Sequence, residues 1–321
     1  MRYPQTMDDE PRSVSCRRPL RRLAPAALVA AVLVLASLAT ACGAHGAAGA
    51  SATLPPAVSA SPGAGPSPAA SPAASSAAAP LPPRPHLVAH PQPVPILIYH
   101  HVLPKPKGPP LTYLSVKKFA GQLKYLASHG YQFVTMQRVY DAWTGKGILP
   151  PHPVVITFDD GYADQVRNAA PVLRRYHWPA ELDLVFDALY LGLDAPHVSL
   201  TTEMVKGLLD DGWGLESHTV THAVLTGLHG AKLRRELLVS RSRLEKTFDV
   251  PVNFFCYPGG IYSRRVKLAV RRAGYLAATG TRYGAATPRD LFSLPRIYCY
   301  GGESMAVFGA RLRETLAAAG D

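Results

Sequence analysis

Cysteine is scarce in this sequence, and no two cysteines have the C-x-x-C spacing. Four cysteines occur in 321 residues, which argues against a zinc site built on paired thiolates. Two of them, Cys256 and Cys299, lie in the C-terminal half of the chain. In an exported protein they can pair as a disulfide or remain two separate buried thiols, and the sequence leaves both possibilities open.

Charged residues and large apolar side chains are nearly absent from residues 43–93. Forty of these 51 residues are Ala, Pro, Ser or Gly, and Arg84 carries the only formal charge. A segment of this composition cannot offset the entropy cost of ordering, so we expect a disordered linker. Residues 94–321 then remain for a single globular domain.

The sequence also has no basic run interleaved with aromatic residues, which argues against nucleic-acid binding. The formal net charge of the chain is +12, and residues 94–321 hold 27 Lys and Arg against 19 Asp and Glu. A modest positive field of this kind suits an acidic or polyanionic surface, including cell-wall polymers. With 47% hydrophobic and 17% charged residues, the chain is neither fully disordered nor a polytopic membrane protein.

An export signal is indicated at residues 1–42. An uncharged apolar run, residues 23–39, follows a cluster of four arginines, in the order expected of a signal peptide. Small residues then precede Cys42, which resembles a bacterial lipoprotein signal in which Cys42 becomes the lipidated N-terminus. The alternatives are ordinary cleavage or an uncleaved anchor, because 17 apolar residues reach the lower limit for spanning a bilayer. Each alternative places the domain outside the cytoplasmic membrane, either tethered to its outer face or secreted.

Short apolar strands alternate with helical segments from residue 94 onward. Residues 95–99 and 154–158 are apolar strands, and residues 115–129 have the spacing of a helix. This alternation implies parallel βαβ units, so we predict an α/β fold, an irregular (β/α) barrel of seven or eight strands. Residues just past the strand ends share one face of such a barrel. We therefore expect four polar clusters to converge on one cleft: His100-His101, Asp159-Asp160, Ser217-His218 and Tyr257-Pro258-Gly259.

Two of these clusters carry groups typical of a metal site. Asp159 and Asp160 follow a buried strand, and adjacent side chains there diverge, so each carboxylate can have its own task. His218 and His222 are four residues apart, and on one helical turn their imidazoles would point the same way. Two imidazoles and one carboxylate are the ligands of a catalytic zinc or similar divalent ion. We expect Zn²⁺.

Three motifs together resemble the polysaccharide deacetylase family (carbohydrate esterase family 4, the NodB-homology domain). They are TFDDGY at residues 157–162, SHTVTH at 217–222 and FFCYPGG at 254–260. The opening IYHHV at 98–102 is similar to exported poly-β-1,6-N-acetylglucosamine de-N-acetylases. The resemblance implies a metal-dependent hydrolase that removes N-acetyl groups from N-acetylglucosamine units of a surface polysaccharide and releases acetate.

The resemblance also implies residue roles. The metal ligands would be Asp160, His218 and His222. Asp159 would be the general base on the attacking water, and His100 would be the general acid on the leaving amine. The neighbouring His101 competes for the acid role.

The third motif and one late arginine complete these expectations. Tyr257, Pro258 and Gly259 would bind substrate, with Tyr257 in the groove wall and its backbone N–H as an oxyanion donor. Many family members have an arginine that orients the base where this sequence has Cys256. Arg296 is our candidate for that task, with an ordinary surface arginine as the alternative.

Two other functions stay open at this point. The change from arginine to Cys256 also suits a non-catalytic carbohydrate-binding protein on the same fold. Alternatively, the hydrolase chemistry is kept and the substrate is peptidoglycan or a chitin-like oligomer.

Overall fold

The computed structural model describes residues 81–189 and 199–320. Its strands are β1 (Ile96–Tyr99), β2 (His101–Leu103), β3 (Tyr113–Ser115), β4 (Gln132–Phe133), β5 (Pro153–Asp160), β6 (Glu181–Leu184), β7 (Gly214–Ser217), β8 (Phe254–Cys256), β9 (Ala277–Tyr283) and β10 (Leu294–Tyr298). Its α-helices are α1 (Val116–Ser128), α2 (Met136–Trp143), α3 (Ala170–Arg174), α4 (Thr202–Asp210), α5 (Gly230–Arg234), α6 (Ser240–Phe248), α7 (Arg264–Arg272) and α8 (Met305–Gly320).

Within the described residues, seven parallel strands close into a barrel. Strands β5 to β10 pair in chain order, and β1 closes the ring by pairing with both β5 and β10. Leu97, for example, stands beside Ile156 on one side and Ile297 on the other. The short strand β4 extends the sheet from β5 outside this ring. The predicted (β/α) barrel is confirmed.

Alternate residues of each strand point inside and outside the barrel. Ile156 and Phe158 of β5 pack in the main core cluster with Phe119 of α1. Their neighbour Val155 belongs to a second cluster with Ile96. Toward the carboxyl ends of the strands, the residues that point into the barrel become polar, and the functional groups lie there.

Two π-helical segments occur in the helical regions that follow β5 and β7. Gln165–Ala169 leads into α3, and Arg235–Val239 joins α5 to α6. Insertions of this kind widen a helical turn and are frequent at functional sites. Here they aim Gln165 and Glu236 inward, and both are buried.

The predicted signal of residues 1–42, its Cys42 and most of the linker lie outside the described residues. The described end of the linker, residues 81–93, forms no helix or strand and contacts α2. Val88 donates its backbone N–H to the Trp143 carbonyl at 3.0 Å, and the Trp143 indole donates to the Gln92 carbonyl at 2.9 Å. No helix in the part of the chain that the structure describes has both the length and the hydrophobicity to cross a bilayer.

Candidate active site and metal centre

Two histidines and one carboxylate meet at the carboxyl ends of β5 and β7. Nε2 of His218 lies 3.5 Å from Oδ1 of Asp160, and Nε2 of His222 lies 3.3 Å from the same oxygen. One donor atom from each residue falls within 4.8 Å of the other two. Two imidazole nitrogens and one carboxylate oxygen at this separation fit a divalent ion with open positions.

The backbone at these ligands adopts conformations that L-residues rarely use. The φ angle is 75° at Asp160, 72° at Thr219 and 59° at His222. Strained residues of this kind persist where the surrounding structure holds them and often mark functional sites. Gly161, at φ 91°, follows Asp160, and a Cβ there would meet Leu184 at 2.5 Å. The Asp-Asp-Gly turn therefore needs its glycine.

The predicted helical turn from His218 to His222 is wrong. Positive φ angles at Thr219 and His222 break any helix, and the segment is a loop. The buried Glu236 carboxylate holds this loop by accepting the N–H groups of Val220 at 2.9 Å and Thr221 at 3.0 Å. The two imidazoles nevertheless converge, with their ring centres 4.8 Å apart.

His218 is held in one orientation by the backbone of β8. Its Nδ1 lies 2.8 Å from the Cys256 carbonyl oxygen, so Nδ1 donates to it and Nε2 is directed toward Asp160. This arrangement is the usual support for a metal-binding histidine. Burial alone raises the pKa of Asp160, but the hydrogen bond and charge of His218 lower it to about 2. Asp160 is therefore available as an anionic ligand.

Asp159, the neighbour of Asp160 in the chain, pairs with a buried arginine of β10. Arg296 of β10 donates to both carboxylate oxygens of Asp159, Nη1 to Oδ1 and Nη2 to Oδ2, each at 2.8 Å. The guanidinium is fully buried and also donates to Asp183 at 3.0 Å. Burial raises the pKa of Asp159, but the charge of Arg296 outweighs it and holds that pKa well below its usual range. The structure thus brings together the two side chains that the sequence suggested, and Arg296 is not a surface residue.

Cys256 occupies the space next to this ion pair. Its Sγ lies 3.1 Å from Nη2 of Arg296 and 3.8 Å from Oδ2 of Asp159. Burial raises the pKa of the Cys256 thiol to about 11, so it remains protonated and does not compete as a thiolate ligand. Cys256 and Cys299 are both buried and free, which decides the open question in favour of two separate thiols.

His100 and His101 have different surroundings. Nε2 of His100 lies 3.9 Å from Oδ2 of Asp159. His101 is 5% exposed, its Nδ1 lies 2.7 Å from Asp164, and its ring stacks on Tyr162 at 3.7 Å. The structure therefore places His100 beside Asp159, the expected base. His101 is held in the wall of the cavity that these residues line.

A cavity of about 230 Å³ connects these groups. Its lining includes Asp159, Asp160, His100, His101, His218, His222, Tyr113, Tyr162, Tyr298, Gly259 and Gly260. Cavities lined by aromatic residues and a few convergent polar groups are the usual form of small-ligand sites.

Tyr257 does not line this cavity, contrary to our expectation. Its ring is buried, and its hydroxyl donates to the Phe292 carbonyl at 3.0 Å. Its backbone N–H is used in pairing with β9, donating to the Thr279 carbonyl at 3.1 Å, so it is not available as an oxyanion donor. Pro258 is buried as well, and Gly259 faces the cavity.

Sequence reasoning missed three buried acids behind Asp159. Glu181, Asp183 and Glu216 are each at most 2% exposed on the inward face of β6 and β7. Burial raises the pKa of Glu181 to about 8 and that of Asp183 to about 7. The period-two spacing of Glu181 and Asp183 in an otherwise apolar strand was the available signal. Together with Arg296 they form a polar layer in the barrel interior.

Two carboxylates and two histidines at the strand ends of a (β/α) barrel are an arrangement that fits a hydrolase using a divalent ion. Residues 146–278 match the polysaccharide deacetylase family. The Bacillus subtilis protein YxkH, which is named after this family, is 31% identical over 222 residues, which span 68% of this chain and 76% of that protein. The chain belongs to the polysaccharide deacetylase family and is an enzyme of that class.

Two further proteins are similar to this chain. The poly-β-1,6-N-acetyl-D-glucosamine N-deacetylase of Staphylococcus epidermidis is 27% identical over 193 residues, which cover 56% of this chain and 66% of that protein. The deacetylase PplD of Streptococcus pyogenes, solved in complex with acetate, superposes with a TM-score of 0.63 at 26% identity. That match covers 70% of this chain and 99% of the solved one.

Proposed function

We propose that this protein is a metal-dependent de-N-acetylase of a surface polysaccharide built from N-acetylglucosamine. The observation that carries the proposal is that two adjacent carboxylates have different partners. Asp160 lies with two imidazoles, while Asp159 lies on a guanidinium and faces the same cavity. The Staphylococcus epidermidis relative is named for poly-β-1,6-N-acetyl-D-glucosamine, and this supports the same substrate here.

Asp160, His218 and His222 would hold the ion, and zinc fits their donor types. When bound, such an ion lowers the pKa of a water molecule and polarises the acetamide carbonyl. The protein itself supplies orientation. The Cys256 carbonyl fixes the His218 ring, and Glu236 holds the loop that carries both histidines.

The remaining groups handle protons. Asp159, kept ionised by Arg296, accepts a proton from the attacking water. The water oxygen bonds to the acetyl carbon, the bond from that carbon to nitrogen breaks, and acetate leaves. His100 donates a proton to the departing nitrogen, which becomes the free amine. Its position 3.9 Å from Asp159 puts acid and base on the same cavity.

A non-catalytic carbohydrate-binding protein was an alternative because no arginine stands at the position of Cys256. Arg296 reaches Asp159 from another strand, so that reason no longer applies. Chitin-like oligomers and peptidoglycan remain alternative substrates. Their sugars are joined by β-1,4 linkages in place of β-1,6 linkages.

Acetate release tests the proposal. The protein with Zn²⁺ is incubated with N-acetylglucosamine oligomers linked β-1,6 or β-1,4, and we expect faster release from the β-1,6 oligomers. Asp159→Asn should abolish release, because the amide cannot accept the proton. Asp249→Asn is the matched control, since Asp249 is exposed at the end of α6 in a left-handed conformation that asparagine tolerates. Equal release by wild type and Asp159→Asn would contradict the proposal.

Attachment outside the cell is also part of the proposal and rests on the sequence alone. Replacing Cys42 by serine should release a lipid-linked protein from the membrane fraction without changing acetate release. If the Cys42→Ser protein stays in the membrane fraction, an uncleaved anchor is supported instead.

A further inference from the structure

The positive charge of the domain is concentrated in one short segment. Residues 232–272 contain eleven Lys and Arg against three acidic residues, while the rest of residues 94–321 contains sixteen of each sign. The whole net charge of the domain therefore comes from α5, α6 and α7 with their connections. We call the eleven Lys and Arg of residues 232–272 the basic face.

These helices lie side by side on the outside of the barrel. Arg265 at the start of α7 donates to the Leu228 carbonyl at 2.7 Å, just before α5. Arg241 of α6 donates to the Ala273 carbonyl at the end of α7, at 3.1 Å. These two contacts link α7 to α6 and to the residues just before α5, so the charged residues of the three helices are neighbours in space.

Most of this charge is not neutralised within the protein. Of the three acids, Glu236 is buried against the ligand loop and Glu245 pairs with Arg241. Five members of the basic face make no salt bridge to an acidic residue among the residues described. They are Lys232, Arg234, Lys246, Arg264 and Arg272. All five are exposed. An uncompensated field of this kind attracts anions from solution.

A groove of about 460 Å³ runs along one edge of the basic face. Its lining combines Arg264, Lys267 and Arg271 of α7 with Arg84 and Arg289 from outside the helix. Asp290 is the acidic residue in this lining, and it pairs with Lys267. Recessed cations from three separate segments suit a narrow, flexible anion that can enter a groove.

We propose that the basic face and its groove bind a linear phosphodiester polymer of the cell surface. The glycan substrate does not explain the charge, because N-acetylglucosamine chains are neutral and the deacetylated product is cationic. The groove favours a flexible polymer over a flat bilayer, since lipid headgroups in a plane reach a recessed site poorly. Both α5 and α7 follow strand ends that carry site residues. Binding there would hold the active site close to the anionic polymer.

The test measures binding of the full-length protein to immobilised poly(glycerol phosphate) between about 0.05 and 0.5 M NaCl. We expect binding that weakens steeply with salt and no binding to uncharged dextran. The variant Arg264→Gln/Arg271→Gln/Arg272→Gln should bind about tenfold more weakly. The control Lys105→Gln/Lys107→Gln/Lys124→Gln removes the same charge from exposed positions elsewhere and should bind nearly as the wild type does.

Acetate release from short oligomers should be unchanged in both variants, which shows that they are folded. If the first variant does not fold, Lys232→Gln/Arg234→Gln/Lys246→Gln replaces it, because these exposed side chains make no ion pairs among the described residues. Equal losses in the test and control variants would contradict the proposal, as would no binding at low salt. Binding only to phosphatidylglycerol vesicles would overturn it in favour of a membrane partner.

Discussion

Arg296 is the residue whose replacement tests the interior of this site most sharply. It is fully buried and bonds both Asp159 and Asp183. In Arg296→Met, two buried carboxylates lose their positive partner, and removing one partner of a buried ion pair costs about 3–5 kcal/mol. For a domain of this size that corresponds to a fall in Tm of roughly 6–20 °C. Adding Asp183→Asn should recover part of the loss, because an amide then replaces a buried acid that has lost its partner and whose pKa is already raised to about 7.

Catalysis should change in a way that stability alone does not explain. Arg296 does not line the cavity, so KM for oligomers should stay close to the wild-type value in Arg296→Lys. The lysine keeps the charge but cannot form the two-bond fork, so kcat should fall by about 10²-fold or more as the base loses its orientation. Thermal melts and steady-state acetate release measure both effects. A normal Tm in Arg296→Met, a normal kcat in Arg296→Lys, or full additivity of Arg296→Met with Asp183→Asn would refute this reasoning.

Three other variants test separate parts of the site. Glu236→Gln should weaken zinc binding about tenfold in a chelator competition, because the loop that carries His218 and His222 loses its anionic acceptor; unchanged affinity would contradict this. Cys256→Ala should keep acetate release within a few-fold of wild type, because the thiol is protonated and is not a ligand. Complete loss of acetate release would show that the thiol has a chemical role. Burial raises the pKa of Glu181 from 4.5 to about 8, so the folded protein retains a proton that the unfolded chain releases, and stability should fall as pH rises between these values. In Glu181→Gln, urea unfolding should show a shallower fall over that range, and an unchanged pH profile would exclude the effect.

Much of the architecture could be predicted because it depends on local patterns. Apolar strands alternating with amphipathic helices specify parallel βαβ units, and the strand-end rule then places distant clusters on one face. His218, His222 and Asp160 were found in this way, although they lie in separate parts of the chain.

The missed features depend on contacts that no local pattern encodes. The loop from His218 to His222 is not helical, because the distant Glu236 carboxylate holds backbone N–H groups that a helix would use. The backbone N–H of Tyr257 is used by the Thr279 carbonyl of β9, a contact that the sequence alone does not reveal. The contact between Asp183 and Arg296 joins β6 to β10, and no local pattern predicts that pairing.

Zinc content and turnover of two neighbouring variants test the central claim most directly. Purified Asp159→Asn and Asp160→Asn proteins are analysed for bound zinc by mass spectrometry and for acetate release from N-acetylglucosamine oligomers. We predict that Asp159→Asn retains one zinc and loses activity, while Asp160→Asn loses both, because Asp160 lies with the histidines and Asp159 lies with Arg296. Loss of zinc from Asp159→Asn with retention in Asp160→Asn would contradict the assignment.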